Sequence, residues 1–463
     1  MSVSSCHSLP VRSLCSKGAP QGAMGSSSCV GGSSKEPTSA GSSIESSSAE
    51  TPPPLVLTRE SKIQLAMLLG SGTLLQLGTG MIVPCLPMYA TSIGLTPADV
   101  GVVVAVPSFA RALLNLPAGR VADIVGRKKP WVMGTLADGI GCVATAFAGS
   151  LNSMVAARLF MGGGSAVGSA GAGAYAMDVV SGFPQHKGRL LGMMNAANSL
   201  AWVLGPVIGG LLAERGGVGL PFVLVGGAIL SMVPAVQLLL PETLPPKEGA
   251  TVGSLRLRPV LKETYESFAT LMRDRNQVGC ALMQASLFTG WSACLSVVPL
   301  YAAATWGASP SELGTLYSVA AVLGVAGAPL GGYVADFAGR KPAVMLGSLV
   351  VSASFASLPL VETKPQLLCA MAAMGLGESF LMSANAALAN DVTPRELRGA
   401  QSALLSQVGD LTFVVMPVAL SLVATNVSYS AGFLTASGLI LGANTGFALL
   451  ATEPSRKARR GGS

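Results

Sequence analysis

The sequence predicts an all-α membrane protein of twelve transmembrane helices in two six-helix parallel repeats. Three observations carry this. Half of the 463 residues are hydrophobic, 11% are charged and the mean hydropathy is +0.57, with 57 glycines against only 5% aromatics; closely packed membrane helices have this composition and soluble cores do not. Twelve apolar runs, at 63–90, 99–118, 130–149, 153–177, 189–213, 218–240, 277–303, 312–332, 342–361, 366–390, 399–425 and 430–451, each approach the ~20 residues needed to cross a bilayer. The chain also repeats itself, because "GRVADIVGRKKP" at 119–130 returns as "GGYVADFAGRKP" at 331–342, and Asp123 falls on Asp336 at an offset of 213.

In chain order, residues 1–58 form a Ser-, Gly- and Pro-rich tail with no run long enough to span or pack, the composition of disorder. Its first 35 residues hold Arg12, Lys17 and Lys35 and no acidic residue, which predicts a transit peptide, plastid before mitochondrion because arginine is sparse, with an uncleaved disordered cytosolic tail as the alternative. The chloroplast envelope is the expected membrane, with the plasma membrane or another organelle as the alternative. Residues 59–243 make the first bundle. Residues 244–276 are a central loop with one amphipathic surface helix, 277–453 make the second bundle, and 454–463 are a basic tail. Pro87, Tyr89, Gly94, Pro97 and Gly101 find counterparts in Pro299, Tyr301, Gly307, Pro310 and Gly314, and "LPET" after span six is echoed by "ATEP" after span twelve. An even number of spans in each half makes the repeats parallel, related by an axis along the membrane normal.

Lysine and arginine gather in alternate connections, and the opposite connections hold only Arg215 and Lys364. Positive residues stay on the side of synthesis, so both termini face the cytosol, or the stroma of a plastid. The net charge of +7 follows from that retention and from anionic headgroups, and requires no nucleic acid.

The eight cysteines show no C-x-x-C spacing, which excludes a metal site or disulfide framework. His7 and His186, the only histidines, lie outside the spans, so proton chemistry within the membrane falls to carboxylates. No nucleophile, base and oxyanion constellation stands out. The sequence predicts no enzyme, no cofactor and no metal; the expected partners are the lipid bilayer, a small-molecule solute and protons, and the expected state is a monomer.

Gly119, Asp123, Gly126, Arg127 and Lys128, and again Gly332, Asp336, Gly339, Arg340 and Lys341, match the Gly-x-x-x-Asp-x-x-Gly-Arg-Lys loop signature of the major facilitator superfamily. The chain resembles that superfamily over about 60–453, which implies its fold and transport by alternating access. A short loop between two helices needs the backbone freedom of Gly126, and Arg127 can reach a carboxylate such as Asp178, a cluster suited to latching helix ends in one state. Plain positive-inside anchoring is the bland alternative. "LGPVIGG" at 204–210, with Gly205, Pro206, Gly209 and Gly210, resembles the span-five segment of proton-coupled drug antiporters, and "RLFMGGGSA" at 158–166 resembles their span-four motif. Ala201 replaces the usual leading glycine of that segment, and Leu75 stands where many drug antiporters carry a span-one Asp.

Arg111, Asp138, Arg158, Glu378 and Asp410 fall inside apolar runs. Each costs on the order of 3 kcal/mol if it faces lipid, so they are expected to face the interior as the candidate substrate and proton site. Ser108, Arg111 and Asn115 share one face of span two with Asp138 beside it in span three, which leaves open a structural Arg111–Asp138 pair or a substrate role. Glu378 and Asp410 sit near the midpoints of spans ten and eleven, where the resemblance places a central cavity. In the repeat Glu378 falls on Ser165 and Arg158 on Met371, so both charges depart from the symmetry that a scaffold keeps. Glu378 is the expected proton carrier, with Asp410 as partner and Arg158 or Arg111 as neighbouring cation. The sequence thus predicts a secondary transporter that exchanges a small organic solute for protons; an uncoupled facilitator, a symporter, or a non-transporting sensor on the same fold are the alternatives.

Overall fold

The computed structural model describes residues 58–245 and 257–453; the expected tail as far as residue 57, loop residues 246–256 and the basic tail 454–463 lie outside the described residues. The first half contains α1 (Arg59–Ser92), α2 (Pro97–Val125), α3 (Lys128–Ala146), α4 (Leu151–Ser181), α5 (Lys187–Gly216) and α6 (Leu220–Leu239). An amphipathic α7 (Leu257–Leu271) follows, then α8 (Arg275–Ser296), α9 (Val298–Trp306), α10 (Pro310–Phe337), α11 (Arg340–Ser357), α12 (Lys364–Val392), α13 (Arg398–Asn426) and α14 (Tyr429–Leu450).

Local sequence sets the helix starts, and the repeat extends to the caps. Thr96 and Asp99 form a capping box at α2, and Ser309 and Glu312 form one at the equivalent start of α10, each satisfying two backbone donors that the first turn cannot. Span seven is divided. Pro299 has no N–H to continue the ladder, α8 stops at Ser296, and the Tyr317 hydroxyl donates to the Cys294 carbonyl at 2.5 Å. In the first half α1 runs unbroken through Pro84 and Pro87.

Counting α8 and α9 as one, ten helices among the described residues are long and apolar enough to cross a membrane, rather than the expected twelve. The two that fall short of that apolarity are α3 and α4. Asp138, Arg158 and a series of glycines dilute them, and they pack on one another through those glycines: a Cβ on Gly164 would stand 2.5 Å from the backbone nitrogen of Asp138.

The halves meet along two helix pairs, α5 with α10 and α2 with α13. Glycine permits both crossings on the side away from the loop motifs. A Cβ on Gly210 or on Gly314 would lie 2.9 Å from the carbonyl carbon of Pro310 or Pro206, and one on Gly101 would lie 2.5 Å from the Pro417 oxygen. The Ser318 hydroxyl adds a hydrogen bond of 2.6 Å to the Val203 carbonyl across the same boundary.

Candidate functional site

The α2–α3 loop is built around a carboxylate that arrives from the end of the half. Gly126 has φ +96°, a left-handed conformation that disfavours side chains. The turn aims the N–H groups of Arg127 and Lys128 at Glu242, beyond α6, whose Oε1 accepts from Arg127 N at 2.8 Å and whose Oε2 accepts from Lys128 N at 3.2 Å. An anion at the start of α3 satisfies orphan donors and complements the helix dipole. The Arg127 side chain donates to Asp123 at 2.5 Å and to Asp178 of α4 at 3.4 Å, and Thr243 donates to the same Asp178 oxygen at 2.9 Å. Burial opposes the Arg127 charge, but its hydrogen bonds and attraction to Asp123 and Asp178 outweigh burial and raise its pKa. Asn115, Gly119, Arg120, Asp123, Arg127 and Asp178 line a cleft of about 500 Å³ on this cation-rich side.

The second copy reproduces the cluster. Gly339 has φ +118°, Arg340 bonds Asp336 at 2.5 Å and Asp391 at 3.1 Å, and Glu453 accepts from the N–H groups of Arg340 and Lys341 at 2.9 and 2.7 Å. Lys341 adds a contact of its own, donating through Nζ to the carbonyls of Ala448 and Ala451 at 2.7 Å each. Gly119 and Gly332, by contrast, face open space. Glu242 and Glu453 did not stand out as site residues in the sequence; the LPET and ATEP echo was the signal that could have found them.

The glycines of α5 serve close packing. A Cβ on Gly205 would lie 2.8 Å from the Leu77 carbonyl, and one on Gly209 would lie 2.6 Å from the Cα of Met81, both on α1; Pro206 and Gly210 meet α10.

The charges in the spans pair differently from the expectation. Arg111 does not pair with Asp138. Its Nε donates to Asp410 of α13 at 3.0 Å, its Nη2 to Ser108 at 2.7 Å, and Asn115 donates to the other Asp410 oxygen at 2.8 Å. The face shared by these three residues is turned toward the opposite half, where α2 packs along α13, and not toward α3. Asp138, 8% exposed, makes no ion pair among the described residues; Arg158, 7% exposed, reaches the Val103 carbonyl at 3.5 Å and the Met161 sulfur at 3.6 Å. Nor is Asp410 bonded to Glu378. Glu378 points into its own half on the side of the Trp291 indole, with Oε1 buried without a hydrogen-bond partner among the described residues, where a Cβ on Gly290 would lie 3.8 Å away. Phe288 stands 5.0 Å from Trp291 and 6.1 Å from Phe413, ring centre to ring centre, so an aromatic wall adjoins that carboxylate.

A family model of the Major Facilitator Superfamily matches residues 68–276 and 280–463. The chain belongs to the Major Facilitator Superfamily. This superfamily member is therefore an integral multi-pass membrane protein of a transporter family and not an enzyme. It is 32% identical over 151 residues to an uncharacterized MFS-type transporter of Methanocaldococcus jannaschii, covering 32% of this chain and 38% of that protein. It is 28% identical over 244 residues to the quinolone resistance protein NorA of Staphylococcus aureus, covering 52% of this chain and 58% of NorA. Among solved structures, a bacterial homolog of the human lysosomal transporter Spinster, inward-facing and unoccupied, superposes with a TM-score of 0.70 at 16% identity, over 86% of this chain and 100% of that one. The nucleoside transporter NupG gives 0.70 at 13% identity, over 85% and 100%. At such identities the likeness is one of fold.

Proposed function

We propose that this protein is a proton-coupled antiporter for an amphipathic aromatic solute. The observation that carries the proposal is the bridge from Arg111 and Asn115 to Asp410, a polar tie between the halves at mid-depth, with the halves packed through glycine on the far side and a 500 Å³ cleft between α2 and α4 of the first half on the cation-rich side. Contacts that join two rigid bundles at a few polar and glycine points suit exchange between two packings. Glu378 is the proton carrier in this reading, because no histidine lies in any span and its Oε1 has no hydrogen-bond partner among the described residues. Phe288, Trp291 and Phe413 give an aromatic solute a surface to stack on beside that carboxylate, and the quinolone resistance named in the NorA relative supports this class. The Asp123–Arg127–Asp178 and Asp336–Arg340–Asp391 clusters latch the cation-rich ends of the helices. The transporter works as a monomer in the chloroplast envelope, a location that rests on the Ser-rich, acid-poor start of residues 1–58.

Liposomes reconstituted with the full chain test the function. A fluorescent quinolone and a panel of labelled metabolites are offered with and without a pH gradient. Antiport gives accumulation only when the lumen is acidic, with proton efflux in step. Equal uptake without the gradient would make the protein a facilitator, and no uptake of any panel member would favour a sensor.

A further inference from the structure

All eight buried side-chain polar atoms without a hydrogen-bond partner among the described residues belong to the second half. The first half, built on the same repeat, contributes none among its described residues. Two of the eight stand apart, Arg398 Nε at the start of α13 and Ser421 Oγ toward its far end. The other six are oxygens of Gln277, Asn444, Asn385, Ser348, Ser286 and Glu378. The first five of these residues are each no more than 4% exposed. An orphan buried polar atom costs about 1–3 kcal/mol, so six in one bundle would consume the whole stability of a typical domain, about 5–15 kcal/mol. Bound water is the ordinary remedy for such groups.

The six form a graded series. At 1.5 Å of rise per residue from the cation-rich ends of α8, α14, α12 and α11, Gln277 lies about 3 Å in, Asn444 about 9 Å, Asn385 about 11 Å, Ser348 about 12 Å, Ser286 about 17 Å and Glu378 about 21 Å. These four helices pack together as a bundle within the half. Asn385 and Glu378, two turns apart, share one face of α12, and the Asn385 amide donates to the Cys280 carbonyl of α8 at 3.2 Å. Gln277 donates to Thr393 at 2.6 Å at the cation-rich end. Ser286 lies one turn from Gly290, the glycine that faces Glu378 Oε1. Ser348 adjoins Gly347, which sits against the backbone of Leu381 on α12. At the repeat offset Ala172 stands in place of Asn385 and Ser165 in place of Glu378, while Thr135 keeps a hydroxyl in place of Ser348, so the halves part at the Asn385 and Glu378 positions.

We propose that these six oxygens hold a file of bound water that conducts protons between the cation-rich surface and Glu378 through the interior of the second half, apart from the boundary between the halves. The conduction rests on the reading of Glu378 as proton carrier. A proton taken up at the Gln277 end passes along the file, each water accepting one proton and releasing another, and the last transfer forms the O–H bond on Glu378 Oε1. The return transfer reverses these steps, and no oxidant or co-reactant is consumed. The solute can then cross at the boundary between the halves while the proton travels by another route.

Two measurements on the full chain in nanodiscs decide this. Radiolytic hydroxyl-radical footprinting oxidises buried side chains next to bound water. Met283 of α8 and Met154 of α4 are both 0% exposed, and the file predicts that Met283 is oxidised several-fold faster; equal rates would overturn it. The second is infrared spectroscopy of the Glu378 carboxyl band, assigned by its loss in Glu378→Gln. Its hydrogen–deuterium exchange should slow several-fold in Asn385→Leu and in Ser286→Ala, the latter removing only a hydroxyl in case the former does not fold. Unchanged exchange in Ser286→Ala would overturn conduction through the file while leaving Glu378 as carrier. A wild type with no such band at any pH, but with fast labelling of Met283, would refute Glu378 as carrier and with it the conduction, and leave the water.

Discussion

Arg111 and Asp410 stand 299 residues apart in the chain and 3.0 Å apart in space, on helices of opposite halves. Their side chains are 32% and 9% exposed, so the pair is sheltered on the carboxylate side and open on the guanidinium side. Asn115 occupies the second carboxylate oxygen. The two halves therefore share a fully engaged anion at mid-depth, and parting them leaves it uncovered.

Asp410→Ala should lower thermal stability by about 3 kcal/mol, the low end for a broken buried pair because Arg111 is partly solvated. Uptake should fall at least tenfold. The exchange Arg111→Asp with Asp410→Arg should recover part of the stability, read as a melting midpoint in detergent; no recovery would mean that the pair is incidental.

Asp123→Asn should reduce transport strongly, roughly tenfold if the latch equilibrium moves by about 1.4 kcal/mol, with insertion and abundance near normal. Asp336→Asn is expected to be milder, since Asp336 is 71% exposed against 43% for Asp123. Wild-type turnover in Asp123→Asn would leave only anchoring for the cluster.

Gly101→Leu places bulk where even a Cβ meets the Pro417 carbonyl. The far-side crossing should open. Spin labels at Phe147 and Val427, exposed positions at the far ends of the two halves, should move apart by several ångströms in pulsed dipolar spectra, and an unchanged distance would show that the crossing can repack.

Glu378→Gln should abolish accumulation driven by a pH gradient yet preserve exchange of labelled for unlabelled solute, because only the proton step is lost. Undiminished, equally pH-dependent accumulation would remove Glu378 from the mechanism, and loss of both activities would make it a solute or packing residue.

Residues 1–60 fused to a soluble reporter should direct it into plastids. Diffuse cytosolic signal would defeat the transit reading.

The architecture was legible because it is written in one dimension: apolar runs, alternating lysine and arginine, and an offset that repeats even the caps at Thr96 and Ser309. The loop clusters were half legible. Asp123 and Arg127 belong to a recognisable signature and Asp178 was within expected reach of Arg127, whereas Glu242 and Glu453 enter from the ends of the halves and show only as a short echo. The partner of Arg111 was not legible, because spacing along α2 gives its polar face but not which helix of the other half that face meets. For the same reason Glu378, expected beside Asp410, turned out to face Trp291 within its own half. The unpartnered oxygens of Asn385 and Ser348 were hidden altogether, since they arise from how four helices pack.

Each loop cluster is closed by a carboxylate that leaves the ribosome after its half is otherwise complete, Glu242 behind α6 and Glu453 behind α14. The first half can fasten its α3 start before any of the second has been made. The second cannot do the same until α14 and the Glu453 beyond it have been made, because Glu453 accepts from the N–H groups of Arg340 and Lys341. Biogenesis thus acquires an order, and a ribosome that stalls ahead of Thr452 releases one finished bundle joined to one whose α11 still lacks its anionic stopper.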